Sequence, residues 1–473
     1  MKKTKIICTL GPATNDVETI KKLIDAGLNA ARMNFSHGDY EEHKGRFDKL
    51  KQAREEMGEY VPIVLDTKGP EIRLRKFKNG PVNLVKGSTF TLTTEDVEGD
   101  ETIVSVSYNK ITEDLNVGST VLLDDGLVEL VVKKINGNKV ICEVMNNGEL
   151  SNNKGVNLPD VYINLPSLTE KDKSDIIFGI KNGIDYVAAS FVRSANDVKE
   201  IRKVLNENGG SHIDIISKIE SRSGVNNLDE ILEVTEGIMV ARGDLGVEIP
   251  PEEVPFIQKT MIQKANKAGK LVVTATQMLE TMTNNPRPTR AEASDVANAI
   301  YDGTDCIMLS GETAKGKYPV EAVEMMSRIA VATEKSLNYN KNLLGHKDNI
   351  RNTIVDNISF SACLMANDLD AACIIPITST GYTARMVSRF KPSCPIVVCT
   401  DKENIARKLN LVWGCKPVLV ETFDDAAEVT FSIAATVAKE KLIAKKGDSA
   451  VLVTGFPMGK QGTTNMITID VIS

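Results

Sequence analysis

At 473 residues the chain exceeds what one hydrophobic core supports, because cores stop growing beyond roughly 250–300 residues, so two or three domains are expected. Its 42% hydrophobic and 26% charged residues form an ordinary globular composition, which excludes a disordered chain. A formal charge of -7 excludes a broad basic surface for nucleic acid and leaves any phosphate binding to local clusters.

The N-terminal MKKTKIICTLGP begins with lysines, but Gly11 and Pro12 cut its apolar run too short for a signal peptide. No segment approaches the roughly 18 apolar residues of a membrane span, so no membrane partner is expected. The eight cysteines lack CxxC pairs and zinc-finger spacing and read as core residues of a reducing cytoplasm; the four histidines are equally dispersed.

In chain order, the predicted strands are KIICTL (5–10), NAARMNF (29–35), VPIVLD (61–66), DYVAASF (185–191), DIISKIE (214–220), GIMVAR (237–242), KLVVTAT (270–276) and CIMLSG (306–311). Helical patterns lie between most of them. DVETIKKLIDAG ends on a capping glycine, TEKDKSDIIFGIKNG carries both end signals, and SANDVKEIRKVLNENGG opens on an N-cap serine. Eight strands with intervening helices predict an α/β fold, a (β/α)8 TIM barrel whose site lies where the strands end.

One connection is out of scale. After the third strand, alternating runs joined by Asp-Gly and Asn-Gly turns predict a small antiparallel β domain inserted over the barrel mouth like a lid. A last segment resumes helix and strand alternation (AACIIPIT, CPIVVCT, KPVLVE, SAVLVTG), which predicts a separate C-terminal α/β domain. The expected division is residues 1–69 with 169–340 for the barrel, 70–168 for the insert and 341–473 for the third domain.

The C-terminal ends of the strands collect unusual charge. The second gives Arg32, Asn34, Ser36 and His37, the third Asp66, Thr67 and Lys68, and the fifth Lys218 and Glu220. From the sixth come Arg242, Gly243 and Asp244, from the seventh Thr274, Thr276 and Gln277, and from the eighth Ser310, Gly311 and Glu312. Lys218 and Glu220 are two apart on a strand and share a face. Glu220 and Asp244 carry the hard oxygens that suit Mg2+ or Mn2+, with a cap or salt bridge as the plainer reading. Lys218 beside them suits an oxyanion or a transferring phosphoryl group, or else a simple ion pair with Glu220. Asn34, Ser36, Asp66 and Thr67 form a second oxygen-rich group, which the residues leave open between a monovalent cation site and a hydrogen-bonded network. In the third domain Thr378, Ser379, Thr380, Gly381 and Thr383 fall at a strand-to-helix turn suited either to a phosphate or to plain N-capping.

The segments ARMNFSHG, LDTKGPEIR, KGVNLP, ISKIES, MVARGDLGVEIP, ATQMLETM and NPRPTRAEASDVANAIYDGTDCIMLSGETAKGKYPVEAV make the chain resemble pyruvate kinase over essentially its whole length. The resemblance implies transfer of the phosphoryl group of phosphoenolpyruvate to ADP, giving pyruvate and ATP in the last step of glycolysis. It implies Mg2+ or Mn2+ on Glu220 and Asp244, and K+ on Asn34, Ser36, Asp66 and Thr67. Potassium-independent members resemble this chain with a lysine in place of Glu71, so K+ dependence is expected.

The same resemblance gives Lys218, Arg32 and Thr276 as catalytic, with Gly243 and Asp244 joining them around the substrate. Asn34, Arg73, Lys154 and Asp125 would meet the nucleotide, and the insert would be a small β-barrel lid. The Thr378–Thr383 turn would bind a phosphorylated allosteric effector, with TGFPMGKQGTTN (454–465) as its second wall. A cytoplasmic homotetramer of bacterial type, without the extra C-terminal domain of some members, is expected. The enolate proton is assigned to a water relayed through Thr276, Ser310 and Glu312. Two other readings compete: a metal-dependent C–C lyase, which needs neither K+ group, lid nor nucleotide site, and a non-catalytic metabolite sensor, against which every catalytic position is filled.

Overall fold

The computed structural model describes residues 2–161, 163, 165–347, 350–420, 436, 443–456 and 463–472. Eight parallel strands close into a barrel: Lys5–Thr9, Ala30–Asn34, Ile63–Asp66, Tyr186–Ala189, Asp214–Ile219, Gly237–Ala241, Leu271–Ala275 and Cys306–Leu309. All eight fall inside the segments expected from sequence. The first pairs with the eighth through Lys5 opposite Cys306, which closes the ring. The intervening helices begin and stop as their end signals require. Asp16 caps Val17–Ala26 before a left-handed Gly27, Thr169 caps Glu170–Lys181, and Ser194 caps Ala195–Glu207.

The alternation of a strand sorts its residues between two cores. Ile215 and Ile219 pack outward against helices, whereas Ile216 joins Ile7, Val64, Met239 and Met308 inside the barrel. Period two then turns Lys218 and Glu220 inward with Ile216, toward the mouth. The floor of the barrel is filled from outside. Leu411 of the third domain belongs to the interior cluster, and its carbonyl accepts from Cys306 Sγ at 3.1 Å.

The insert follows the third strand and forms a six-stranded sheet with a two-stranded ribbon around one core. The outer strands of that sheet are Ile103–Ser105 and Val156–Asn157. Residues 72–75 lie between them: Leu74 and Arg75 donate to the carbonyls of Lys154 and Ser105, while Ile72 and Arg73 accept from Val156 and Ser107. This bridging segment joins the two edges of the six-stranded sheet and makes the insert the small β-barrel expected.

The third domain holds parallel strands Cys415–Leu419, Ile396–Thr400, Cys373–Pro376 and Ser449–Thr454 in that spatial order. A fifth strand, Met466–Val471, pairs antiparallel with the last of these at the sheet edge, and the sequence reading does not anticipate it. All eight cysteines are free and buried, as expected of core residues. Among the described residues no helix is long and apolar enough to cross a membrane.

Candidate active site

Two cavities meet at the barrel mouth. One, of about 550 Å3, is lined by Arg32, Asn34, Ser36, His37, Asp66, Lys218, Glu220 and Asp244 among others. The other, of about 500 Å3, lies under the insert and brings Arg73, Asp125 and Lys154 to face Asp244 and Glu248. Phe191 and Asp244 border both. Asn157 reaches from the insert to Glu248 at 3.0 Å, and Arg193 donates to the carbonyls of Ile163 and Leu165 where the chain returns to the barrel.

At the centre is a buried chain of charge. Asp66 receives Arg32 Nε at 2.6 Å on Oδ2 and Lys218 Nζ at 3.0 Å on Oδ1. Burial alone would raise the Asp66 carboxyl, but Arg32 and Lys218 hold it below the usual carboxylate range. Lys218 also reaches Glu220 Oε1 at 3.1 Å and Ser190 Oγ at 2.7 Å. Burial opposes its charge, yet Asp66 and Glu220 keep the ammonium protonated and push its pKa up. Glu220 is the under-compensated member. Burial raises its carboxyl to about 7, Lys218 pulls against that, and Asp244 adds repulsion.

Glu220 and Asp244 therefore fit a divalent cation by the chemistry of their donors. Both are carboxylates that burial makes costly to ionise alone, and Asp125 and Glu71 push Asp244 further. Among the described residues no group of three or more His, Cys, Asp or Glu is arranged for a metal, so water and substrate would fill the remaining positions, as Mg2+ prefers. The oxygen group at Asp66 is more crowded. Asn34 Oδ1 accepts from the Ser36 amide, and Thr67 accepts from Ser190 through both its hydroxyl and its carbonyl. Asn34, Ser36 and Asp66 line the same cavity.

The helix Arg242–Glu248 starts at the end of the sixth strand beside Thr276, whose Oγ1 accepts from the Gly243 amide at 2.8 Å. Thr276 sits at φ 68 and Gln277 at φ 52, left-handed values that non-glycine residues adopt at a cost. Arg242 fixes this loop from behind through the Thr276 carbonyl at 2.7 Å and Asp295 at 2.7 Å. The expected relay through Ser310 and Glu312 is not assembled. Glu312 is buried and spends its two oxygens on the Ser310 and Leu279 amides, so it braces loops, and the Thr276 hydroxyl donates to the Ala275 carbonyl.

On the insert, Arg73 binds Glu71 at 2.6 Å and the Asn153 carbonyl at 2.8 Å, while Lys154 pairs with Asp124 at 2.9 Å. In the third domain, Thr378 Oγ1 accepts from the Gly381 amide at 3.0 Å, and Thr383 meets Thr464 at 2.7 Å, so the turn touches the second expected wall. Tyr382 opens the helix Tyr382–Ser388 directly after Gly381, and Ser379 and Thr380 belong to the same turn. Positions 457–462 of that wall lie outside the described residues.

Thr9 and Ser190 are contacts that strand-end reading passed over. Thr9 Oγ1 accepts from Arg32 at 2.9 Å, and Ser190 holds Lys218. Their signal was position alone, because they close the first and fourth strands, whose ends carry no charge.

A closed barrel with a charged mouth, roofed by a β-barrel inserted after its third strand and floored by an α/β domain, defines a class of multidomain barrel enzymes. The family model for the pyruvate kinase barrel domain matches residues 1–323, and that for the pyruvate kinase alpha/beta domain matches residues 356–470. A pyruvate kinase of Clostridium acetobutylicum is 51% identical over 473 residues, covering all of both chains. One of Sporosarcina psychrophila is 49% identical over all of this chain and 81% of its own. A crystal structure of a pyruvate kinase from Cryptosporidium parvum superposes with a TM-score of 0.95 at 41% identity, over all of this chain and 96% of that one. The chain belongs to the pyruvate kinase family.

Proposed function

We propose that the enzyme transfers the phosphoryl group of phosphoenolpyruvate to ADP, giving pyruvate and ATP as the last step of glycolysis. The observation that carries this reading is the Lys218 ammonium, shared between Asp66 and Glu220 beside Asp244 in a cavity that opens under Arg73 and Lys154. Residues 1–69 with 169–340 are the catalytic barrel, 70–168 the lid, and 341–473 the regulatory domain.

The substrate carboxylate lies against the Gly243 and Asp244 amides and the Thr276 hydroxyl. Its phosphoryl group is met by Arg32 and Lys218, both braced on Asp66, so two cations face the charge that spreads over the equatorial oxygens. Glu220 and Asp244 would hold Mg2+ or Mn2+, which would supply positive charge at the reacting group. Asn34, Ser36, Asp66 and Thr67 hold K+. Arg73 and Lys154 reach the nucleotide phosphates, Asp125 and Asn34 face the nucleotide, and the lid keeps water from accepting the phosphoryl group. Lys218 stabilises the enolate left behind, and Thr276 orients the water that protonates its carbon.

The Thr378, Ser379, Thr380, Gly381 and Thr383 turn takes a phosphorylated effector, and the enzyme works as a cytoplasmic homotetramer. The test is a coupled pyruvate assay with ADP and Mg2+, comparing K+ with Na+ and then titrating sugar phosphates and AMP. Pyruvate and ATP in equal amounts, with K+ stimulation, is the expected result. Pyruvate released without ADP, as from a C–C lyase, would overturn the reading, and a Thr276→Ala variant with unchanged enolate proton exchange would remove Thr276 from the proton step.

A further inference from the structure

We propose that the Ser190–Phe191 turn is a positioning element that aims Lys218 and Glu220 at the transferring phosphoryl group and ties them to the lid hinge at Gly69. The proposal rests on the reading of Lys218 as the cation facing that group.

Two of the ammonium protons of Lys218 are committed, to Ser190 Oγ at 2.7 Å and Asp66 Oδ1 at 3.0 Å, and Glu220 Oε1 lies in ion-pair contact at 3.1 Å. Ser190 donates its own proton to the Thr67 carbonyl at 2.6 Å. The hydroxyl therefore presents only lone pairs to Lys218, and the bond has one direction. Asp66 is held in place by Arg32 and Ser190 by Thr67, so these two bonds fix the ammonium and leave its third N–H for a phosphoryl oxygen entering the cavity.

The next residue fixes the other member of the pair. The Phe191 amide donates to Glu220 Oε2 at 2.6 Å, and Phe191 adopts φ 55 to do so. That left-handed backbone is unfavourable for an aromatic residue and persists only where its surroundings over-determine it. The constraint comes from the lid hinge. A Cβ on Gly69 would lie 2.7 Å from Ser190 Cβ and 2.9 Å from Phe191 Cδ2, and Gly69 itself has φ 74. Only glycine lets the outgoing hinge rest on this turn. Pro70, Glu71, Ile72 and Arg73 follow directly and line the cavity under the lid together with Phe191. Movement of the hinge is thus transmitted to the two side chains at the reaction centre through a contact with no slack.

Ser190→Ala, Gly69→Ala, their double variant and Lys218→Met test this in the full-length enzyme. Ser190→Ala should lower kcat about tenfold to a hundredfold with KM for phosphoenolpyruvate within about twofold, and with Mn2+ affinity by electron paramagnetic resonance unchanged. Gly69→Ala should also lower kcat, and the two losses should combine to less than their product because both act through one turn. Wild-type kcat in Ser190→Ala, or a parallel loss of Mn2+ binding and thermal stability, would overturn the positioning role. Fully multiplicative losses would overturn the tie to the hinge. An active Lys218→Met would instead defeat the reading of Lys218, which separates the two failures.

Discussion

Asp66 at the mouth of the barrel and Asp214 at its floor are each buried between two cations, and Asp66 also lines the large cavity at the mouth. Asp66 sits between Arg32 and Lys218, and Asp214 between Arg385 at 2.8 Å and Lys408 at 2.6 Å, both from the third domain. In each case burial would raise the carboxyl and the paired cations overcome it. Two further carboxylates at the floor each take one cation of the third domain. Asp185 takes Arg407 at 2.9 Å and Asp305 takes Lys391, while each also accepts an amide of a neighbouring strand, Ile63 or Val272. A docked domain covers these pairs, so their charge serves attachment. At the mouth the same chemistry lines cavities, so its charge can be redirected to a ligand. Residue type is common to both ends; what lies against them differs.

If that contrast holds, substitutions at the two ends should fail in different ways. The largest effect is expected from Lys218→Met, which should lower kcat about a hundredfold to a thousandfold in the coupled assay while the folded enzyme keeps its thermal midpoint within a few degrees. A stability loss with normal kcat would erase the distinction. Asp214→Asn should do the reverse. Leaving Arg385 and Lys408 without their carboxylate costs about 3 kcal/mol by analogy with other buried pairs, seen as a lower onset in thermal or urea unfolding, with kcat of the folded fraction largely retained.

Asp356, on the third-domain helix Ile354–Asp368, gives a pH test of the floor side. Burial would raise its carboxyl, but Arg351 and Arg389, each at 2.8 Å, bring it down to about 2, and Arg389 also donates to the Lys267 carbonyl of the barrel. A depressed carboxyl stabilises the fold fully above its unfolded pKa of about 3.9 and loses that contribution as pH falls toward 2. The contribution should be about 1–2 kcal/mol, since the half-exposed Arg351 is partly screened. Asp356→Asn should remove this acid-range slope in unfolding measured from pH 5 to 2; an unchanged slope would place the pair outside the stabilising set.

The smallest effect expected is a gain. Glu71 holds Arg73 at 2.6 Å and lies 3.9 Å from Lys68 at the cavity between lid and barrel. Glu71→Lys supplies a fixed cation there and should raise activity in Na+ toward that in K+, about tenfold or roughly 1.4 kcal/mol of barrier. No change in the ratio of the two activities would detach Glu71 from the monovalent ion.

How much of this was legible in the sequence differs from element to element. Ile215, Ile216 and Ile219 announce a buried strand, and the two-residue period alone predicts that Lys218 and Glu220 share its inner face. Thr169 and Ser194 announced their helices because capping is a local hydrogen bond. Ser190 was not legible, since a serine after YVAA looks like any strand end until Lys218 is brought against it from 28 residues away. Glu312 misled in the opposite sense: its charge suggested a proton relay, and its two bonds to backbone amides show a brace.

By itself the sequence determined which residues could be strands, which helix ends would be capped and which carboxylates would stand at strand ends, because those properties depend on neighbours within a few positions. Tertiary structure alone decided that Asp66, not Glu220, takes both cations, that Gly69 rests on Ser190 and Phe191, and that Asp185, Asp214 and Asp305 are sealed by another domain. The physical reason is that a charge acquires its role from burial and from partners within a few ångströms, and in a closed barrel those partners arrive from strands and domains far apart in the chain.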